Sequence, residues 1–163
     1  MEDHFQQITE IPLGLPGKVY RSPMPFSKYD RFGKIWTLYE EYEIEIVVVL
    51  AESEEYLIHT GVDLPSFYKT NGLKVIHYPV EDFNVPDNKT GLGKVIQKVI
   101  RKSRDGNNIV VHCLAGYGRT GVFLACLTKS HFGMTGEESI VWIRQYIPNA
   151  LENFRQEQFV MDF

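Results

Sequence analysis

The residues best suited to chemistry stand in one run, His112-Cys113-Leu114-Ala115-Gly116-Tyr117-Gly118-Arg119-Thr120-Gly121. A thiol and a guanidinium six positions apart, with glycines between them, suit a tight loop that wraps an anion. Gly116 and Gly118 permit the sharp backbone. Inward-pointing peptide N–H groups, with a helix starting where the loop ends, make a nest for a phosphate dianion. The Arg119 fork can hold two phosphate oxygens, most strongly as charge develops during phosphoryl transfer. The same positive field favours the thiolate of Cys113. A thiolate beneath a bound phosphate is an in-line nucleophile, which implies a phosphocysteine intermediate that water then hydrolyses. Such chemistry calls for neither a metal nor another cofactor.

Rival readings of the run are weaker. Gly116 to Gly121 also spells the dinucleotide fingerprint G-x-G-x-x-G, but that motif needs a second strand with an acidic end roughly 20 residues on. Gly136-Glu137-Glu138-Ser139-Ile140 reads instead as a helix start. A Walker loop fails because no lysine precedes Thr120. Cys113 in isolation would be a small core residue; its company makes it a nucleophile. Cys126, beside Phe123 and Leu127 on an apolar stretch, reads as core. A redox pairing of Cys126 with Cys113 depends on their separation in space.

Positioning this loop requires a strand that delivers Cys113 and a helix that receives Arg119. Asn108 to Cys113 reads as a buried strand, and Thr120 to about Phe132 as an apolar helix stopped by Gly133. Upstream, Lys18-Val19-Tyr20 is a short strand candidate. From about Tyr29 to Tyr42, Phe32, Ile35, Trp36 and Tyr39 share one helical face. Glu45 to Ala51 is a continuous β-branched run, expected as the central strand of a parallel sheet. Residues 54–70 suggest short helical pieces broken at Gly61 and Pro65, and Leu73 to Val80 another strand ended by Pro79. Thr90 to Arg104 carries Leu92, Val95, Ile96, Val99 and Ile100 at helical spacing, stopped by Asp105-Gly106. Two further helices are expected at about 136–146 and 152–162. Strands alternating with helices predict an α/β fold with a mostly parallel sheet flanked by helices, whose ligand site lies at the carboxyl ends of the strands.

His-Cys, five residues, then Arg-Thr-Gly resembles the signature of the cysteine-based protein tyrosine phosphatases, and the short chain points to their small dual-specificity-type branch. Tyr20-Arg21-Ser22 and Ala150-Leu151-Glu152-Asn153-Phe154-Arg155-Gln156 are similar to flanking family motifs, so the resemblance spans most of the chain. It implies that Leu114, Ala115, Gly116, Tyr117, Gly118 and Arg119 bind the phosphate. It further implies that an aspartate from an upstream loop protonates the leaving oxygen and then serves as base on the attacking water. Asp82 in Tyr78-Pro79-Val80-Glu81-Asp82-Phe83-Asn84-Val85-Pro86 matches that position, with Glu81 and Asp87 as rivals. By the same resemblance His112 orients the loop and tunes Cys113, and the Thr120 hydroxyl helps the thiolate leave. Where many tyrosine-specific relatives have glutamines four apart, this chain has Glu152 and Gln156, leaving Gln156 as the residue expected to position water.

Composition bounds the rest. At 163 residues, 44% hydrophobic and 23% charged, the chain is expected to fold as one phosphatase domain spanning 1–163. A net charge of −4 argues against nucleic acid as a partner. Apolar runs such as Ile46 to Ala51 are too short to span a bilayer. The acidic start, Met1-Glu2-Asp3-His4, is unlike a signal peptide, and two cysteines are too few for a disulfide framework, so a cytoplasmic monomer is expected. His4, His77 and His131 show no metal-ligand spacing. Lys89, Lys94, Lys98, Arg101, Lys102 and Arg104 share one helix, read as a solvated face or a docking surface for acidic partners. The implied substrate is a phosphorylated protein, through phosphotyrosine and also phosphoserine or phosphothreonine. A phosphoinositide or RNA 5′-triphosphate is the alternative, disfavoured because Leu114, Ala115 and Tyr117 add no positive charge to the loop. A catalytically dead phosphate-binding module is a third class, which the intact Cys113, Arg119 and Asp82 oppose.

Overall fold

β-Branched runs build the middle of the sheet, and the side chains they turn to each face decide what packs there. The computed structural model describes residues 7–163, so His4 and the acidic stretch around it lie outside the described residues. Strands β1 (Thr9–Ile11), β2 (Val19–Ser22), β3 (Ile46–Val49), β4 (Lys74–His77) and β5 (Ile109–His112) form one sheet in the order β1-β2-β5-β3-β4. All neighbours are parallel except β1, which pairs antiparallel with β2. The helices are α1 (Ile35–Glu41), α2 (Ser53–Thr60), α3 (Leu64–Thr70), α4 (Lys89–Arg104), α5 (Gly118–Phe132), α6 (Gly136–Arg144) and α7 (Phe154–Asp162).

Side chains alternate across the parallel strands, as the period of two requires. Ile46, Val48, Ile109 and Val111 pack with residues of α4, α5, α6 and α7. Val47, Val49 and Val110 face the other way, onto Ile35, Tyr39, Tyr56, Leu64 and Tyr68 of α1 to α3. Helices thus cover both faces, which explains why β3 and β5 are buried at every position. α5 is buried along most of its length, which is why its sequence is apolar nearly all round.

Several expectations shift. The central strand is β5, not the Glu45 to Ala51 run; β3 lies next to it, because β5 pairs with β2 on one side and β3 on the other. β1, only three residues long, carries no period that would reveal it. The first helix begins at Ile35 and leaves Phe32 exposed. Gly33 is in the left-handed region, and the Asp30 carboxylate accepts from the N–H groups of Lys34 and Ile35, which sets the start of α1. Gly61 does break the next segment, but Pro65 sits in the first turn of α3, where its missing N–H costs nothing.

Candidate active site

β5 ends at His112, and α5 begins at Gly118, so Cys113 to Tyr117 form the loop between a strand end and a helix N-terminus. Three successive carbonyls of this loop are tied down from behind. Leu114 O accepts from the Met24 N–H at 2.9 Å, Ala115 O from Arg21 Nη2 at 2.9 Å and Gly116 O from Arg21 Nε at 3.1 Å. In a trans peptide the N–H points opposite to the C=O. The N–H groups of Ala115, Gly116 and Tyr117 are therefore turned away from Arg21, toward the concave side. Gly116 has φ +82, and a Cβ there would come within 2.5 Å of Ser22 O, so no other residue fits without moving β2. The Arg21 guanidinium also lies 5.0 Å from the centre of the Tyr117 ring, at the back of the loop.

His112 faces the α1 to α3 side of the sheet. Its Nδ1–H donates to the Cys113 carbonyl at 2.9 Å, which leaves Nε2 to accept from the Tyr68 hydroxyl at 2.9 Å. Burial pushes the imidazole down to about 4, with the nearby Arg119 charge adding to the effect and the Cys113 carbonyl opposing it. His112 is thus neutral and locked in one tautomer. Cys113 is almost fully buried at the floor of a narrow cleft lined by Tyr29, Asp82, Phe83, Leu114, Ala115, Gly118, Arg119 and Glu152.

Arg119 is held by more partners than its loop supplies. Its Nη1 and Nη2 donate to the two carboxylate oxygens of Glu55, on α2, at 2.7 and 2.5 Å. Nη1 also reaches Val80 O at 3.0 Å, and Nη2 reaches Asp82 Oδ1 at 3.0 Å. Burial disfavours the Arg119 charge, but the Glu55 hydrogen bonds and the negative fields of Cys113, Glu55 and Asp82 outweigh it, and the proton is held more tightly than usual. Three hydrogen bonds, two to Glu55 and one to Val80, thus hold the guanidinium, and Asp82 adds an ion pair.

The loop after β4 brings Asp82 over Cys113. Phe83 adopts φ +60, and three bonds from the start of α7 hold the loop there. Asn153 Nδ2 donates to Phe83 O at 2.9 Å, Arg155 Nη1 to Asn84 Oδ1 at 3.1 Å and Gln156 Nε2 to Asn84 O at 3.3 Å. Glu81 bonds the Asn84 side chain and, like Asp87, does not line the cleft.

Cys113, Arg119, Asp82, Leu114, Ala115 and Gly118 are brought together; Gly116 and Tyr117 form the back of the loop. The Thr120 hydroxyl is buried without a hydrogen-bond partner among the described residues. Gln156 is fully buried, its Oε1 accepting the Glu152 N–H at 2.7 Å and its amide nitrogen on the acid loop. Cys126 is buried in the core, its thiol pushed up to about 12 mainly by burial. Glu55, Tyr68, Tyr29 and Glu152 escaped sequence reasoning as site residues. Glu55 lies 64 positions from Arg119, in a stretch without a regular apolar period, and Glu152 carried a signal only as the departure from a paired-glutamine pattern. Among the described residues no group of three or more His, Cys, Asp or Glu converges as metal ligands, and no helix is long and apolar enough to cross a membrane.

A cysteine at the floor of a loop that opens a helix, an arginine closing that loop and an aspartate arriving from another strand end match the class to which sequence comparison leads. The family model described as "Polymorphic toxin system, DSP-PTPase phosphatase" matches residues 30–131, more than half of the chain. The chain belongs to this DSP-PTPase family. It is 35% identical over 81 residues to dual specificity protein phosphatase CDC14B of Mus musculus, covering 49% of this chain and 17% of that protein. It is 30% identical over 100 residues to protein tyrosine phosphatase domain-containing protein 1 of Bos taurus, covering 61% of this chain and 12% of that protein. The chain thus spans less than a fifth of either relative. Among solved structures, kinase associated phosphatase with its catalytic-site cysteine replaced by serine superposes with TM-score 0.85 at 17% identity, over 96% of this chain and 92% of that one. Tk-PTP in its active form gives 0.75 at 25% identity, over 90% of each chain. PTPMT1 in complex with PI(5)P gives 0.71 at 19% identity, over 88% of each, a likeness of fold.

Proposed function

We propose that this chain is a single-domain protein phosphatase that hydrolyses phosphotyrosine, and phosphoserine or phosphothreonine with it, through a phosphocysteine intermediate. The observation that carries the reading is the convergence of Cys113, Asp82 and Arg119 on one narrow cleft, with Arg119 clamped by Glu55. A phosphate dianion enters the N–H nest at the start of α5 and takes Arg119 Nε–H. It also displaces Asp82 from its ion pair with Nη2, freeing that carboxyl to face the leaving oxygen. Cys113 Sγ attacks phosphorus in line, and Asp82 protonates the departing hydroxyl. Water then cleaves the phosphocysteine, with Asp82 as base and the unpartnered Thr120 hydroxyl available to the returning thiolate.

Tyr29 and Phe83 beside the cleft suit an aromatic ring on the phosphate. No lysine lines it, which favours one phosphate on a protein over the clustered phosphates of a phosphoinositide or a 5′-triphosphorylated RNA. A thiolate needs no metal to activate it, and the two free thiols fit a cytoplasmic monomer. The test compares phosphopeptides, phosphoinositides and 5′-triphosphorylated RNA side by side. Phosphotyrosyl peptides are expected to turn over fastest and Cys113→Ser to be inactive while still binding phosphopeptide. A preference for either non-protein substrate overturns the substrate class, and activity in Cys113→Ser overturns the mechanism.

A further inference from the structure

Charge is spread unevenly over this molecule. Six of its 17 Lys and Arg stand on α4, and all 21 of its Asp and Glu lie outside that helix, with Asp87 just before its start and Asp105 just past its end. Leu92, Ile96, Val99 and Ile100 bury one face of α4 in the core. Lys94, Lys98 and Arg101 fall on the opposite face at the i, i+4, i+7 spacing that aligns them along the axis, with Arg104 to one side, and all four are exposed. Lys102, half-buried, stands on the other side of that line. Lys89 is already engaged: its Nζ donates to Asp162 O at 3.4 Å and lies 5.9 Å from the centre of the Phe159 ring. Among the described residues, none of the other five basic side chains has a hydrogen-bond or ion-pair partner.

A solvated face does not account for this pattern. The helix dipole favours cations in the last turn, which explains Arg101, Lys102 and Arg104 but not Lys94 or Lys98 in the middle turns. Like charges three and four positions apart repel, and Lys94, Lys98, Arg101 and Arg104 stand at that spacing in succession. A helix shaped for stability alone mixes in carboxylates, as α6 does with Glu137, Glu138 and the Arg144 ion pair to Glu157. An anionic partner laid along α4 relieves the repulsion. That partner is neither a lipid surface nor a nucleic acid. α4 turns no large apolar side chain to solvent, so it lacks the Trp, Phe or Leu that enters a headgroup layer beside basic residues. It also carries no aromatic ring for a base to stack on. The line from Lys94 to Arg104 is about 15 Å long, the reach of about five extended residues. α4 starts directly after the loop that carries Asp82, at the carboxyl end of β4, so the line begins on the side of the sheet where the cleft opens.

We propose that the exposed basic line of α4, Lys94, Lys98 and Arg101, is a docking surface for an acidic segment of the phosphoprotein substrate, a run of about five residues rich in Asp and Glu that lies apart from the phosphorylated residue in its chain. The inference rests on the phosphatase reading above for the partner's being a substrate, whereas the surface itself rests on charge and exposure. The cleft is lined by Asp82 and Glu152 beside Arg119 and repels carboxylates close to the phosphate, so acidic recognition falls to a surface outside it. Docking of this kind speeds encounter and raises the local concentration of the phosphorylated residue at the cleft. It lowers KM and leaves the chemical step unchanged.

The experiment compares phosphotyrosyl peptides that are identical around the phosphate and joined through a flexible linker, on either side, to an Asp/Glu tract or to a Ser/Gly tract of equal length. The enzymes are wild type, the triple variant Lys94→Glu, Lys98→Glu, Arg101→Glu, and a control triple variant Lys18→Glu, Lys69→Glu, Lys74→Glu, which makes the same charge change at other exposed lysines. On wild type the acidic peptide is expected to show about tenfold higher kcat/KM, carried by KM, and to lose that advantage at about 0.5 M salt. The α4 variant should treat both peptides alike while hydrolysing p-nitrophenyl phosphate at the wild-type rate, and the control should keep the advantage. Fluorescence anisotropy of the Asp/Glu tract alone, with no phosphate, should show binding to wild type and control and none to the α4 variant. Equal kcat/KM for the two peptides on wild type overturns the proposal, as does an advantage that survives in the α4 variant or vanishes from the control. Binding to phosphatidylserine vesicles without binding to the Asp/Glu tract assigns the surface to lipid and overturns it as well. If the α4 variant melts below the assay temperature, Lys94→Gln, Lys98→Gln, Arg101→Gln must show the same loss or the proposal fails. No turnover of any phosphopeptide by wild type removes the phosphatase reading, and the anisotropy then decides the docking surface by itself.

Discussion

In the proposed reaction Asp82 does two things with one carboxyl: it ion-pairs with Arg119 Nη2 at 3.0 Å and serves as the acid once phosphate displaces it. Asp82→Ala should therefore lower kcat on phosphopeptides by about 10²- to 10⁴-fold, the usual worth of a positioned acid, without weakening substrate capture. Pull-down of phosphoprotein by the variant checks the second half of that statement. His112 is a different kind of residue, buried, neutral and outside the lining of the cleft. Its folded value near 4 lies below its usual 6.5, so between these limits the unfolded chain binds the extra proton. Its contribution to stability is complete above pH 6.5 and is lost as pH falls toward 4. Urea titrations at pH 7 and pH 5 should show a larger loss in wild type than in His112→Gln, by at most about tenfold in folding constant per pH unit.

At the scale of elements, α2 matters to the site through one residue in its first turn. Glu55 neutralises an arginine whose side chain is only 2% exposed. Glu55→Ala leaves that buried charge with only the half-exposed Asp82 carboxylate as an ionic partner and should cost up to about 3–5 kcal/mol of stability. Vanadate, by supplying a new anionic partner, should raise the melting temperature of Glu55→Ala more than that of wild type. The glycines of the phosphate loop are not equivalent. Gly116→Ala meets backbone at a positive φ and should abolish anion binding. Gly118→Ala meets mainly the flexible end of Glu152, so it should fold normally yet shift that carboxylate and slow turnover. Thermal melting and steady-state kinetics on the two variants separate these outcomes.

At the scale of the molecule, the site is where strand ends and a helix start meet, with Cys113 packed in the core cluster on one face of the sheet and Leu114 in the cluster on the other. Phe123, fully buried on α5, packs in the cluster that contains Cys113. Phe123→Ala should lose about 3–5 kcal/mol in urea unfolding. The loop from Cys113 to Arg119, the strand that enters it and the helix that leaves it were legible in the residues, because a strand end, glycines and a helix start are signals spread over neighbouring positions. Asp82 was offered by its place between a strand and a helix, with Glu81 and Asp87 as rivals, and the structure puts Asp82 in the cleft lining and the other two outside it. Gln156, read from the sequence as a residue that positions water, lies fully buried with both ends of its amide occupied. Sequence alone determined the strand, glycine loop and helix start around Cys113 and Arg119 and the alternating α/β order, since each depends on contacts close along the chain. Only the tertiary structure decided that β5 is central, that Glu55 clamps Arg119 and that Glu152 lines the cleft. Those pairings join residues tens of positions apart, and which strand ends become neighbours is set by the packing of both sheet faces, not by any local pattern.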